Sequence, residues 1–169
     1  HLVQGGQQRE LIEARAWLWR CLLLARLTMQ AATMPVFDQP QIISCEKEGA
    51  ANRFLATVAF PAIEHTPPKL YFRATAEAFR IAQWMNGHAV TDDSRQEFFE
   101  LIQTRVQRPI MGKLEQGKST FPLLKAAYAL NIPFSHFGSG IYQLGWGARS
   151  VLFSRSSTEN DSAIGMHLS

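Results

Sequence analysis

The chain has 169 residues, 46% of them hydrophobic and 18% charged, a balance that supports one ordinary core or two small ones and excludes a disordered tail. Its 17 basic residues are scattered among 14 acidic ones for a net charge of +3, and no arginine–lysine run is long enough to make a nucleic-acid track. The 2 cysteines, Cys21 and Cys45, have neither metal-ligand spacing nor a secretory context, so free thiols in the cytoplasm are expected.

From Gln8 to about Ala32, Leu11, Leu18, Leu22 and Met29 fall on one stripe with Ile12, Trp19, Leu23 and Leu27 beside it, which predicts one long helix with a broad buried face. Its most apolar part, Ala16 to Leu27, is interrupted by Arg20 and Arg26 and is too short to cross a bilayer. The same arginines weigh against reading it, with Met29 to Ala32, as a signal peptide. Pro35 and Pro40 end the helix and introduce a loop running through Glu46-Lys47-Glu48-Gly49, after which Phe54 to Phe60 reads as a strand and Lys69 to Arg73 as a second short one. Ala78, Phe79, Ile81, Ala82 and Met85 predict a helix over Ala74 to Asn86, with Gly87 expected in the left-handed region behind it.

Asp92 or Ser94 is expected to cap the next helix, Ser94 and Glu97 in a reciprocal box. Phe98, Phe99, Ile102 and Val106 form its buried stripe until Pro109 stops it. Ser119 or Thr120 then caps a helix running to Leu130, and Asn131-Ile132-Pro133 leads into a strand over Phe134 to Phe137. Gly138-Ser139-Gly140 turns the chain back into Ile141 to Leu144, while Gly145 and Gly147 mark a bulge or a close approach of backbone or ligand. Val151-Leu152-Phe153 is strand-like, and Asn160-Asp161-Ser162-Ala163-Ile164 opens a further helix. The class is therefore α/β, a small mixed sheet packed by helices, with an N-terminal α/β domain over residues 1–110 and a separate segment over 111–169. A chain that opens at His1 and closes at Ser169 inside an apparent helix is expected to be a piece of a longer protein.

Gly112-Lys113-Leu114-Glu115-Gln116-Gly117-Lys118-Ser119 matches the phosphate-binding pattern G-x-x-x-x-G-K-[ST] letter for letter. That pattern works when a buried strand delivers the loop so that its amides converge on phosphates. Gln103 to Met111 is instead the polar end of a helix broken by proline, and Val151 to Phe153 runs into Ser154-Arg155 with no aspartate for magnesium. A phosphate-loop NTPase is accordingly an alternative with weak context. Glu64, His65, His88, His136 and the cysteines carry no H-x-x-x-H or C-x-x-C spacing, so no metal is expected. Trp17, Trp19 and Trp84 read as core or interface, whereas Trp146 lies between two glycines where burial is not assured.

Taken in order, Lys118-Ser119-Thr120, the helix Leu123 to Tyr128, Asn131-Ile132-Pro133, Tyr142-Gln143-Leu144-Gly145-Trp146-Gly147 and Asp161-Ser162-Ala163-Ile164 resemble the segment leading into the ATP-grasp core of cyanophycin synthetase-like ligases. The likeness is tight over residues 117–169, loose over 50–110 and absent over 1–49. Asp161 stands where that family usually has threonine and Gly165 where alanine is common, differences that bear on substrate more than on fold. The resemblance implies that 111–169 is a pre-ATP-grasp segment cut before the ATP-binding core. The whole enzyme would activate a carboxylate with ATP as an acyl phosphate for attack by an amine, forming a peptide or isopeptide bond. It further implies that ATP and magnesium bind outside this chain, that the chain holds no catalytic residue and is inactive alone, and that its role is acceptor-substrate binding and scaffolding. The expected partners are an amino-acid or peptide-like substrate and further copies of the chain, with neither nucleic acid nor membrane. A non-catalytic peptide- or polymer-binding docking domain is the second alternative.

Four residues are the candidate substrate contacts. A helix beginning at Asp161 or Ser162 would offer unpaired N–H groups and a positive dipole end to a substrate carboxylate, with the Ser162 hydroxyl beside them, although either side chain also serves as a plain N-cap. The resemblance places the family's Ser-Ala-Ile next to the acceptor. Arg149 and Arg155 would add charge to such a pocket, unless they simply remain in solvent.

Overall fold

The computed structural model describes residues 2–49, 53–114, 116–154 and 157–158. Helix α1 (Leu2–Ala31) leads into a two-stranded hairpin of β1 (Gln41–Lys47) and β2 (Phe54–Ala59), followed by α2 (Pro68–Asn86) and α3 (Asp92–Leu101). A π-helical turn (Ile102–Gln107) joins α3 to α4 (Arg108–Met111). Helix α5 (Thr120–Ala129) then precedes β3 (Phe134–His136), β4 (Ile141–Leu144), β5 (Val151–Ser154) and β6 (Ser157–Thr158), with a 3-10 turn at Gly147–Arg149. The α/β class stands. In place of one mixed sheet, the strands form two separate antiparallel sheets, β1-β2 and β3-β4-β5-β6, because the connections between paired strands are of hairpin type and a parallel pair needs a long crossover.

Helix α1 buries Leu18, Cys21, Leu22, Ala25, Thr28 and Met29, whereas Ile12 and Leu27, one step around the helix, face solvent. It stops in a Schellman turn: Met34 N–H bonds to Met29 O at 2.9 Å and Thr33 N–H to Gln30 O at 2.9 Å, with Thr33 left-handed at φ 64°. A β-branched residue is costly there, and side chains from far along the chain hold it. Gln116 Nε2 donates to both Thr33 O (2.7 Å) and Thr33 Oγ1 (2.9 Å), and Gln107 Nε2 donates to Ala31 O at 3.2 Å.

The main core lies where α1 and the Met34–Val36 segment meet α2 and the π turn: Ala25, Met29, Leu70, Ala74, Ala78, Ile81, Ile102, Val106 and Ile110 pack together. Gln41 to Lys47, within the expected loop, is strand β1 because it pairs antiparallel with β2, and Lys69 to Arg73 is the first turn of α2 and not a strand. Pro68 at its start fixes a helical φ, and Leu70, Tyr71, Ala74, Ala78 and Ile81 recur at helical spacing to reach the core. Gly87 has φ −95° and needs no left-handed turn, since Trp84 O is satisfied by Gly87 N–H at 3.0 Å and by His88 Nδ1 at 2.7 Å, with the His88 ring stacked on the Trp84 indole.

The capping box of α3 is set three residues earlier than Ser94–Glu97. Thr91 is the N-cap, its Oγ1 accepting from Ser94 N–H at 3.1 Å while Ser94 Oγ accepts from Thr91 N–H at 2.9 Å. Pro109 does not end the helical run. Arg108 N–H bonds five residues back to Gln103 O, and this wider turn places the proline in the first turn of α4, where its missing donor costs little. Phe99, in α3 ahead of this turn, is 62% exposed while Ile102 and Val106 within it are buried.

In the C-terminal sheet His136 pairs with Tyr142 and Tyr142 with Phe153, so these three side chains line up across the strands on one buried face. Phe37 packs on Phe121, Tyr128 and Phe134 with ring centroids 5.6, 5.4 and 6.3 Å away, tying the segment after α1 to α5 and β3. No helix of the described residues is long and apolar enough to cross a membrane.

Candidate functional site

A cleft of about 1220 Å³ lies between α1, the Phe37–Ile42 segment, the end of β2 and α5. Arg15, Trp19 and Arg26 enter it from α1, spaced four and then seven residues apart and hence on one helical face. Phe37 and Tyr128 complete an aromatic wall with Trp19, and Asp38 stands beside Tyr128. Pro40 stiffens the segment carrying Phe37 and Asp38, and Gln30 Nε2 ties that segment to α1 through Val36 O at 2.6 Å.

The charges are arranged unevenly. Tyr128 donates its phenol proton to Asp38 Oδ1 at 2.5 Å. That hydrogen bond is the main reason its hydroxyl is raised above the ordinary tyrosine value, with burial and the Asp38 charge adding and Arg26 opposing. Arg26 is half-buried, and its Nε has no hydrogen-bond partner among the described residues. A hidden guanidinium nitrogen left unmatched is an unfavourable arrangement in a fold, and the same guanidinium lines the cleft, where its charge favours a ligand that supplies an acceptor. The cleft thus offers two guanidiniums, one carboxylate and an aromatic wall, a set complementary to a molecule carrying both carboxylate and cationic groups.

A second groove of about 630 Å³ lies along α1 against the hairpin and α2, lined by Trp17, Leu18, Cys45, Phe54 and Phe79 with Glu10 and Glu13 at its edge. It is more apolar, and Glu10 is already paired with Lys47 at 2.5 Å.

Of the residues singled out from the sequence, Asp161, Ser162 and Arg155 lie outside the described residues. Arg149 ends the 3-10 turn, is exposed and does not line the cleft. Trp146 is 62% exposed beside it. The segment before Gly112 is helical, and the loop spends its polar groups on the fold: Gly117 N–H donates to Thr120 Oγ1 at 3.1 Å, Lys113 N–H to Ile110 O at 2.8 Å, and the Gln116 amide to Thr33. Among the described residues no three His, Cys, Asp or Glu side chains are grouped to hold a metal ion. Cys21 and Cys45 are free and buried, and burial pushes the Cys21 thiol up to about 11.

Arg15, Trp19, Arg26, Phe37, Asp38 and Tyr128 escaped the sequence reading because they come from three separated stretches. A signal was present for one of them: Arg26 interrupts an otherwise apolar helical run, and a charge at such a position is either paired or used. Comparison of the chain with protein-family models and with curated proteins finds no match.

Proposed function

We propose that this chain is the substrate-holding N-terminal part of an ATP-dependent carboxylate–amine ligase resembling cyanophycin synthetase, and that the cleft receives an amino-acid or peptide-like chain bearing carboxylate and cationic groups. The observation that carries the reading is the half-buried Arg26 guanidinium, its Nε without a partner among the described residues, set with Arg15 against Trp19, Phe37 and Tyr128. In support stand the ordered motifs from Ser119 onward, whose helix, strand and glycine hairpin fall on α5, β3 and β4 with its Gly145–Gly147 connection to β5. Arg15 and Arg26 hold carboxylates, Asp38 faces a guanidinium or ammonium, and the aromatic wall packs the aliphatic spacer between them.

No step is routed through ATP or magnesium: in the Gly112–Ser119 loop the Gln116 amide is donated to Thr33 and Gly117 N–H to Thr120 Oγ1. No chemical step is assigned to the chain. Its part is to bind and orient, which lowers the entropic cost of bringing an amine to an activated carboxyl group held elsewhere.

The test is calorimetric titration of the chain with short peptides containing aspartate and arginine, followed by Trp19 fluorescence. Saturable binding to these, loss of it in Arg26→Gln, and no binding of neutral Gly-Ser peptides are expected. Equal affinity for the neutral peptides would remove the cleft from the account. The same cleft also suits a docking domain without catalysis. In that case Arg26→Gln weakens attachment of the polymer yet leaves ligation of a short soluble acceptor by the full-length protein unchanged, whereas the ligase reading requires both to fall.

A further inference from the structure

We infer that Tyr128 is a specificity-determining residue of the Arg26 cleft: it engages one oxygen of Asp38 and so leaves a single-point acceptor that takes an ammonium group in preference to a guanidinium. The inference rests on the cleft being a ligand site, and it says which cation that ligand carries. Phe37 and Asp38 meet Tyr128 together. The Phe37 ring lies 5.4 Å from the Tyr128 ring at 32°, and the Tyr128 hydroxyl donates to Asp38 Oδ1 at 2.5 Å. Phe37 also packs on Phe121 and Phe134, and Val36 O accepts from Gln30 Nε2 at 2.6 Å, so the backbone that carries Asp38 is held against both α5 and α1. The carboxylate is thus presented by a fixed segment, with its orientation set by the phenol.

A hydrogen bond of this length from a phenol to an ionised carboxylate is charge-assisted. The same bond is the main reason the hydroxyl lies above the ordinary tyrosine value, so it keeps its proton and goes on donating at neutral pH. The two cations ask different things of a carboxylate. A guanidinium is a planar fork whose strongest contact places one N–H on each oxygen, whereas an ammonium is a compact charge satisfied by one oxygen. With the phenol proton drawing on Oδ1, one arm of the fork meets an oxygen already engaged, and Oδ2 is the stronger acceptor facing a ligand. Stacking on the aromatic wall is open to either cation. It is also common to the native chain and to Tyr128→Phe, which keeps the ring and removes only the hydroxyl, so a difference between those two reads the Oδ1 bond.

The experiment is calorimetric titration of the native chain, Tyr128→Phe and Asp38→Asn with N-acetylated aspartate peptides that are identical except for one lysine or one arginine. The native chain is expected to bind the lysine peptide more tightly. In Tyr128→Phe the ratio of lysine to arginine affinity should fall roughly threefold, the scale of one exposed charged contact, and in Asp38→Asn the preference should disappear. Tighter binding of the arginine peptide by the native chain overturns the inference, and that measurement needs no variant to fold. So does a ratio unchanged in Tyr128→Phe, or a lysine preference that survives in Asp38→Asn. Binding of neither peptide removes the cleft itself as a ligand site, and this inference with it, whereas binding of both without the expected preference overturns the role of Tyr128 alone.

Discussion

Replacing Arg26 by methionine separates what this residue does for the fold from what it does for the cleft. Methionine keeps an unbranched stem of similar reach against α1 and removes the guanidinium, whose Nε is hidden without a partner among the described residues. A buried unmatched donor costs about 1–3 kcal/mol, and the partial exposure of Arg26 places its cost at the low end, so Arg26→Met should stabilise the chain by about 1 kcal/mol. For a chain of this length that is about 2–4 °C in Tm. Peptide binding should move the other way, because losing a charge-assisted hydrogen bond of about 1.5–3 kcal/mol weakens affinity by roughly ten- to a hundredfold. Urea unfolding followed by tryptophan fluorescence reads the first quantity as a shift in midpoint at constant slope, and calorimetry reads the second. A midpoint that falls in Arg26→Met would show the guanidinium to be a structural contact, and the argument for a binding cleft would lose its main support.

Burial, with a smaller contribution from Tyr71, lifts the Tyr142 hydroxyl from its ordinary value of 10.0 to about 12. Because the folded state holds this proton more tightly, its contribution to stability is complete below about pH 10 and is lost as pH rises toward about 12. Urea midpoints of the native chain should therefore drop faster across that window than those of Tyr142→Phe, and parallel curves would contradict the assignment. Leu22→Ala, at a fully buried position of α1, should cost about 2–5 kcal/mol by equilibrium unfolding. The exposed Leu27, mutated in the same way, should cost under about 1 kcal/mol.

Much of the element pattern was legible in the residues. The period of Leu18, Leu22 and Met29 marks α1, the glycine and proline punctuation marks the β3–β4 turn, and the apolar run from Phe54 marks β2. These signals are local, depending on side-chain spacing and backbone preference within a few residues. The errors came where two local signals competed. Lys69 to Arg73 suits a strand by composition, but Pro68 and the spacing of Leu70, Ala74 and Ala78 carry it into a helix that buries a face. Pro109 usually ends a helix, yet a π turn absorbs it because Ile102, Val106 and Ile110 must all reach the core.

The sites were decided by tertiary contact. A phosphate-loop pattern is eight letters of sequence, whereas its function depends on where the amides point, and here Gln116 is spent on the left-handed Thr33 that closes α1. Arg15, Arg26, Asp38 and Tyr128 become neighbours only when α5 folds back on the segment after α1. Composition and periodicity thus determine that this chain folds, and into which local elements, because those choices are settled over a few residues. Which polar groups are satisfied and which remain available to a ligand depends on contacts between residues tens of positions apart, and only the packed structure decides that.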